Sequence, residues 1–156
     1  MNCSESEDTM YTEIWLKGEF MCTAISYKTK NHYFGRNLDF EHSYKETVTI
    51  TPRNYPFKFR RIGELKQHYA MIGMAYVQDG YPLYYDAANE WGLAMAGLLF
   101  TGNAYYSKEE EKGREHLSPF ELIPWVLGQC KSVKEAKRRL ENLQLVEIHF
   151  MTRLRG

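Results

Sequence analysis

An α+β fold, with helices laid on a mostly antiparallel sheet, is what the sequence predicts, and two observations carry the prediction. Aromatic residues are frequent, with 12 Tyr, 8 Phe and 3 Trp making 15% of the chain, a bias that suits half-buried strands better than a helical bundle. Segments that alternate like strands come first and two segments with helix-start signals come last, an order that belongs to α+β layering. The 156 residues fit one domain with a real core.

Residues 1–20 read as a leader, Ser-Glu-Ser-Glu-Asp and then a mixed segment ending Lys17-Gly18-Glu19-Phe20. From Cys22, two strand-like segments flank the turn-like Lys28 to Asn31 and predict a hairpin. Thr47 to Thr51 alternates strictly and stops at Pro52, which predicts a strand with one buried face. The apolar runs Tyr69 to Val77 and Leu93 to Phe100, punctuated by Gly73 and Gly97, predict strands buried on both faces, with Asp86 to Gly92 as the turn between them. Lys108 to Glu115 is a charge run that reads as a solvated loop or a frayed helix. Ser118-Pro119-Phe120-Glu121 is a capping box with proline at the first helical position. It opens an apolar helix to about Gln129, which Pro124 should bend. Ser132-Val133-Lys134-Glu135 is a second capping box, before an amphipathic helix expected to turn Val133, Ala136 and Leu140 inward.

Charge and cysteine usage exclude several classes. The 20 basic and 20 acidic residues cancel, so the basic face of a nucleic-acid binder is missing. Cys3, Cys22 and Cys130 cannot all pair and form no CxxC pattern, which points to a reducing, cytoplasmic setting. His32, His42, His68, His116 and His149 never stand at the spacing of a zinc-protease helix and read as solvated or core residues. No apolar run reaches the roughly 20 residues of a membrane helix. The N-terminus is acidic where a secretory signal is basic and then apolar. No metal or cofactor is expected.

Cys22 has the context of a nucleophile. Met21 precedes it, so a start or a cleavage at Met21 leaves Cys22 with a free α-amino group. Such an amine titrates at about 7.7–8.0 and suits a general base at neutral pH. One residue then supplies both nucleophile and base.

Met21-Cys22-Thr23-Ala24, Phe34-Gly35-Arg36-Asn37-Leu38-Asp39-Phe40-Glu41, Thr51-Pro52-Arg53-Asn54-Tyr55, Asn89-Glu90-Trp91-Gly92-Leu93 and Ala96-Gly97-Leu98 together resemble the choloylglycine hydrolase family. These are the bile salt hydrolases and penicillin V acylases among the N-terminal nucleophile hydrolases. The resemblance runs from Met21 to about Ile148, and the text from Ile123 to Ala136 is nearer the bile salt hydrolases. It implies part of a four-layer αββα sandwich and hydrolysis of glycine- or taurine-conjugated bile salts through a thioester acyl-enzyme. It also implies a homo-oligomer for a full-length protein. Cys22 would attack the amide, Arg36 would favour the thiolate, and Asp39 would accept a hydrogen bond from the α-amino group. The main-chain N–H of Leu99 would be one oxyanion donor. Tyr85, within the aromatic segment Tyr76 to Tyr85, and Leu38 would line an apolar pocket for a steroid body.

Three departures keep other readings open. Leu99 stands where bile salt hydrolases usually carry Asn and penicillin V acylases Tyr, which leaves penicillin V or N-acyl-homoserine-lactone acylase activity as an alternative. The family is roughly twice as long by the length prior, and its downstream oxyanion Asn and second Arg match nothing here. A catalytically inactive fragment is therefore the alternative from another class. Met151 to Gly156 departs from the family text, as a frameshift would produce; a family-like continuation in another frame of the gene tests that origin. Residues 1–20 are expected to precede the true start at Met21.

Overall fold

The computed structural model describes residues 22–39, 43–98 and 104–147, which fall into two units. The leader, the tail from residue 151 and Leu99 lie outside the described residues. The first unit is the expected hairpin, in which β1 (Thr23–Lys28) and β2 (His32–Asn37) pair antiparallel from Thr23↔Asn37 to Lys28↔His32. Ile25, Tyr27 and Tyr33 suit a pleated ribbon. Thr29 closes the turn, its N–H donating to the Asn31 carbonyl at 2.8 Å.

The second unit runs β3 (Thr47–Thr51), β4 (Phe57–Phe59), β5 (Gly63–Leu65), β6 (Met71–Gln78), β7 (Tyr81–Tyr84), β8 (Asp86–Asn89), β9 (Ala94–Ala96) and β10 (Glu115–Leu117). A 3-10 turn at Pro119–Glu121, α1 (Leu122–Leu127), α2 (Val133–Leu140) and β11 (Leu143–Leu145) complete it. A five-stranded antiparallel sheet has the order β3-β6-β8-β9, with β7 pairing on β6. Asp79 and Gly80 both have positive φ, 51° and 76°, the backbone that a two-residue hairpin turn requires. β10 and β11 pair in parallel beside this sheet.

Helices cover one face of the five-stranded sheet, and its buried residues lie on that face. Thr51, Met71, Ala75, Tyr84, Ala87 and Asn89 are buried, and the core continues through Phe57, Leu117, Trp125 and Leu127. The opposite face stays open, with Val48 68%, Ile50 69% and Ile72 48% exposed. β6 and β9 are therefore not buried on both faces, as their apolar runs suggest; burial along β6 alternates instead. The buried side of β3 is its threonine side, where the Thr51 hydroxyl meets the buried Tyr84 hydroxyl. Asp86–Asn89 is a strand, and the turn shrinks to Glu90–Gly92, with Gly92 at φ 78°.

The helices depart from expectation in instructive ways. Glu121 is fully buried and its carboxylate accepts from the main-chain N–H groups of Arg60 at 2.9 Å and Ser118 at 3.3 Å. Pro124 falls in the first turn of α1, where a missing N–H has no intrahelical partner to lose and a bend is not required. In α2, Ser132 Oγ accepts from Glu135 N–H at 3.3 Å, and the Glu135 carboxylate reaches Lys131 N–H at 2.7 Å. Ala136 is the inward residue, but Val133 is 60% and Leu140 37% exposed. The face that packs is Ala136 with Arg139, whose guanidinium lies 5.1 Å from the Trp125 ring centre. An arginine stem covers the indole, and Val133 and Leu140, seven residues apart, share one flank of that face, on the other side of Ala136 from Arg139. The charge run is an irregular exposed segment to Arg114, and Glu115 enters β10. The second unit is α+β, its five-stranded sheet and one helical layer forming part of the expected sandwich.

Candidate active site

Cys22 immediately precedes β1 and is a free thiol, 4% exposed, whereas every residue of β1 is exposed. The buried end of the hairpin is therefore the end that carries the cysteine. The register puts Arg36 opposite Ala24. Ala24 is two residues beyond Cys22, so strand alternation sets Arg36 on the thiol face, in the diagonal position about 7–8 Å away in a ladder. Arg36, Leu38 and Asp39 are all half-buried.

Asn37 and Asp39 occupy the other parity. The Asn37 side chain accepts from Thr23 N–H at 2.6 Å and donates from Nδ2 to Asp39 Oδ2 at 2.7 Å. One amide thus joins the peptide that follows Cys22 to the Asp39 carboxylate. Asn37 escaped the sequence reading as a site residue although it stands between Arg36 and Asp39. Its signal is the two-residue spacing to Asp39, which puts both on one side of an extended strand.

The hairpin unit thus gathers Cys22, Arg36, Leu38 and Asp39. Tyr85 belongs to the second unit, half-buried between β7 and β8, with its N–H on the Met74 carbonyl and its own carbonyl accepting from Gly97 N–H. Burial raises its phenol above the ordinary value, and Glu46, Tyr44 and Tyr76 add to that. Neighbouring Tyr84 is a core residue, 5% exposed.

The second unit also holds an open cavity of about 660 Å³ whose lining includes Arg53, His68, Tyr69, Glu90 and Trp91 but not Tyr85. The Lys131 ammonium sits 4.3 Å from the Trp91 ring centre, and Arg53 grips the Glu90 carboxylate through Nε at 2.9 Å. Cys130 is buried, and desolvation, with Glu135 adding, pushes its thiol up against the opposing pull of Arg139 and Arg138, which keeps it a neutral, inert thiol. Among the described residues no cluster of His, Cys, Asp and Glu is built to hold a metal, and no helix is long and apolar enough to cross a membrane.

The chain belongs to the linear amide C–N hydrolases, choloylglycine hydrolase family, whose profile matches residues 22–154. It is 54% identical over 134 residues to the bile salt hydrolase/transferase of Lactiplantibacillus plantarum, covering 86% of this chain and 41% of that protein. The conjugated bile acid hydrolase of Lactobacillus gasseri is 41% identical over 128 residues, covering 81% of this chain and 40% of that one. Among solved structures, a mutant conjugated bile acid hydrolase from Clostridium perfringens matches with a TM-score of 0.75 at 36% identity, over 83% of this chain and 40% of its own. The chain spans about 40% of the length of the curated relatives it matches.

Proposed function

We propose that this chain carries the nucleophile of a cysteine amidase that hydrolyses glycine- or taurine-conjugated bile salts, once Cys22 bears a free α-amino group. The observation that carries the reading is the buried free thiol of Cys22 at the first residue of the family match. The printed names of the relatives support the substrate class. In the proposed reaction the Cys22 thiol gives its proton to its own α-amino group, and Sγ adds to the amide carbonyl carbon. The oxyanion draws on main-chain donors such as Leu99 N–H. Collapse breaks the C–N bond, the α-ammonium returns the proton to the departing glycine or taurine nitrogen, and a thioester remains. Water, deprotonated by the same amine, then releases the bile acid and the thiol. Arg36 favours the thiolate, Asp39 orients the α-amino group, and Leu38 and Tyr85 contact the apolar body of the substrate. The setting is cytoplasmic, a full-length protein would be a homo-oligomer, and translation of the working enzyme starts at Met21.

The test is direct. The purified chain, its N-terminus read by intact mass, is incubated with glycocholate and taurocholate, and free glycine and taurine are measured. Release that disappears in Cys22→Ser is the expected result. A chain that begins at Cys22 and releases neither product overturns the reading. Faster turnover of penicillin V would move the assignment to the acylases. The open apolar face of Val48 and Ile50 favours a second reading, a chain that folds without turning over; absence of release with a normal melting transition is its signature.

A further inference from the structure

We propose that Asn37 is a positioning residue that sets the main chain of Cys22 and the Asp39 carboxylate relative to each other, an assignment that rests on Cys22 being the nucleophile. Asn37 makes two hydrogen bonds of opposite direction, one accepted and one donated. Thr23 N–H is the amide of the Cys22–Thr23 peptide, and its donation to Asn37 at 2.6 Å fixes the plane of the peptide that follows the nucleophile. That plane anchors Cα of residue 22, so a single backbone rotation, ψ of residue 22, is left to set where its α-amino group points. With Oδ1 committed to Thr23, the amide must turn Nδ2 the other way, and there it meets Asp39 Oδ2 at 2.7 Å. The carboxylate is an obligate acceptor in that contact. Its second oxygen stays available for the α-amino group.

An amide side chain suits this role better than the alternatives. Aspartate would repel Asp39, and serine is too short to span both partners. Asn37 is exposed, so burial does not explain the geometry. Thr23↔Asn37 is the last rung of the ladder, where the two strands would otherwise fray. The side-chain bond extends the ladder's hold to the residue that must be held still for attack.

Two variants separate the two bonds. Asn37→Ala removes both. Asn37→Asp keeps an acceptor for Thr23 N–H but loses the donor to Asp39. Iodoacetamide labelling of the full chain, resolved by peptide mass spectrometry, reads Cys22 against Cys130, a buried thiol in the other unit. In Asn37→Ala, Cys22 is expected to alkylate about fivefold faster or more while Cys130 keeps its rate, the mark of local release of a strand end. In Asn37→Asp, labelling of Cys22 stays near wild type. Its kcat on glycocholate falls by a factor of about ten or more with KM within about twofold, the scale of one lost charge-assisted hydrogen bond. Unchanged labelling of Cys22 in Asn37→Ala, a parallel rise at Cys130, or wild-type kcat in Asn37→Asp overturns the assignment. If the wild-type chain releases no glycine, the proposed amidase fails while the labelling pair still decides whether Asn37 holds the Cys22 end.

Discussion

Asn89 on the sheet and Leu127 at the end of α1 are joined by a side-chain hydrogen bond of 2.8 Å, Asn89 Nδ2 to the Leu127 carbonyl. The same nitrogen donates to the Cys130 carbonyl at 2.7 Å, and Asn89 Oδ1 accepts from Trp91 N–H and Leu93 N–H, both at 3.1 Å. A single buried amide therefore satisfies the C-terminal carbonyl of α1 and a carbonyl just beyond it, and builds the turn after β8. Asn89→Ala leaves these groups unpaired in the interior and should cost about 2–4 kcal/mol. Asn89→Asp, which cannot donate to two carbonyls, should cost at least as much. Urea unfolding measures both, and a loss under about 1 kcal/mol would contradict the assignment.

Gly73 is where β6 and β8 approach too closely for a side chain. A Cβ there would lie 2.0 Å from the Asp86 carbonyl oxygen and 2.6 Å from Ala87 Cα. Both obstacles are backbone, so the strands themselves must part. Gly73→Ala should destabilise by roughly 1–3 kcal/mol or more. The nearby Gly97, whose Cβ would meet only the Tyr85 carbonyl oxygen at 3.4 Å, should tolerate alanine better. Comparison of the two melting temperatures checks the contrast.

Glu90 gives a pH signature. Hydrogen bonds from Arg53, and then from Ala70 N–H, hold its carboxyl down from 4.5 to about 2. A depressed carboxyl contributes stability above its unfolded value and loses it as pH falls through the folded one. The melting-temperature difference between wild type and Glu90→Gln should be present at pH 7, shrink below about 4.5 and vanish near about 2. A difference that persists unchanged at pH 2 would contradict it.

Trp125 and Val133 should differ sharply although both are large apolar residues in helices. Trp125 is 1% and Val133 60% exposed. Trp125→Ala should cost about 3–5 kcal/mol, and Val133→Lys should stay within about 0.5 kcal/mol. Denaturant midpoints measure both.

Much of this was legible in the sequence because its signals are local. The Cys22 hairpin follows from two short strand-like segments around Lys28 to Asn31, and the family text singles out Cys22, Arg36 and Asp39. What escaped depends on neighbours distant in the chain. Thr47 to Thr51 announces a strand, but whether threonines or Val48 and Ile50 face inward depends on Tyr84, thirty-three residues beyond Thr51. Ser132 starts α2 as read, yet the inward face is decided by the indole of Trp125, which an arginine covers better than a valine. Asn37 went unnoticed because its importance lies in which atoms it joins, and residue type alone does not reveal that.

The Cys22 hairpin also determines how the site comes into being. Cys22, Arg36 and Asp39 all come from one short stretch, so they meet without waiting for distant strands to find their partners. Hairpins of this kind zip in about 1–10 μs, while a lone two-stranded ribbon is barely stable in water. Search is fast and persistence is scarce. Residence time in the zipped state, rather than speed of assembly, is what the buried cysteine end and the Asn37 side-chain bond to Thr23 add.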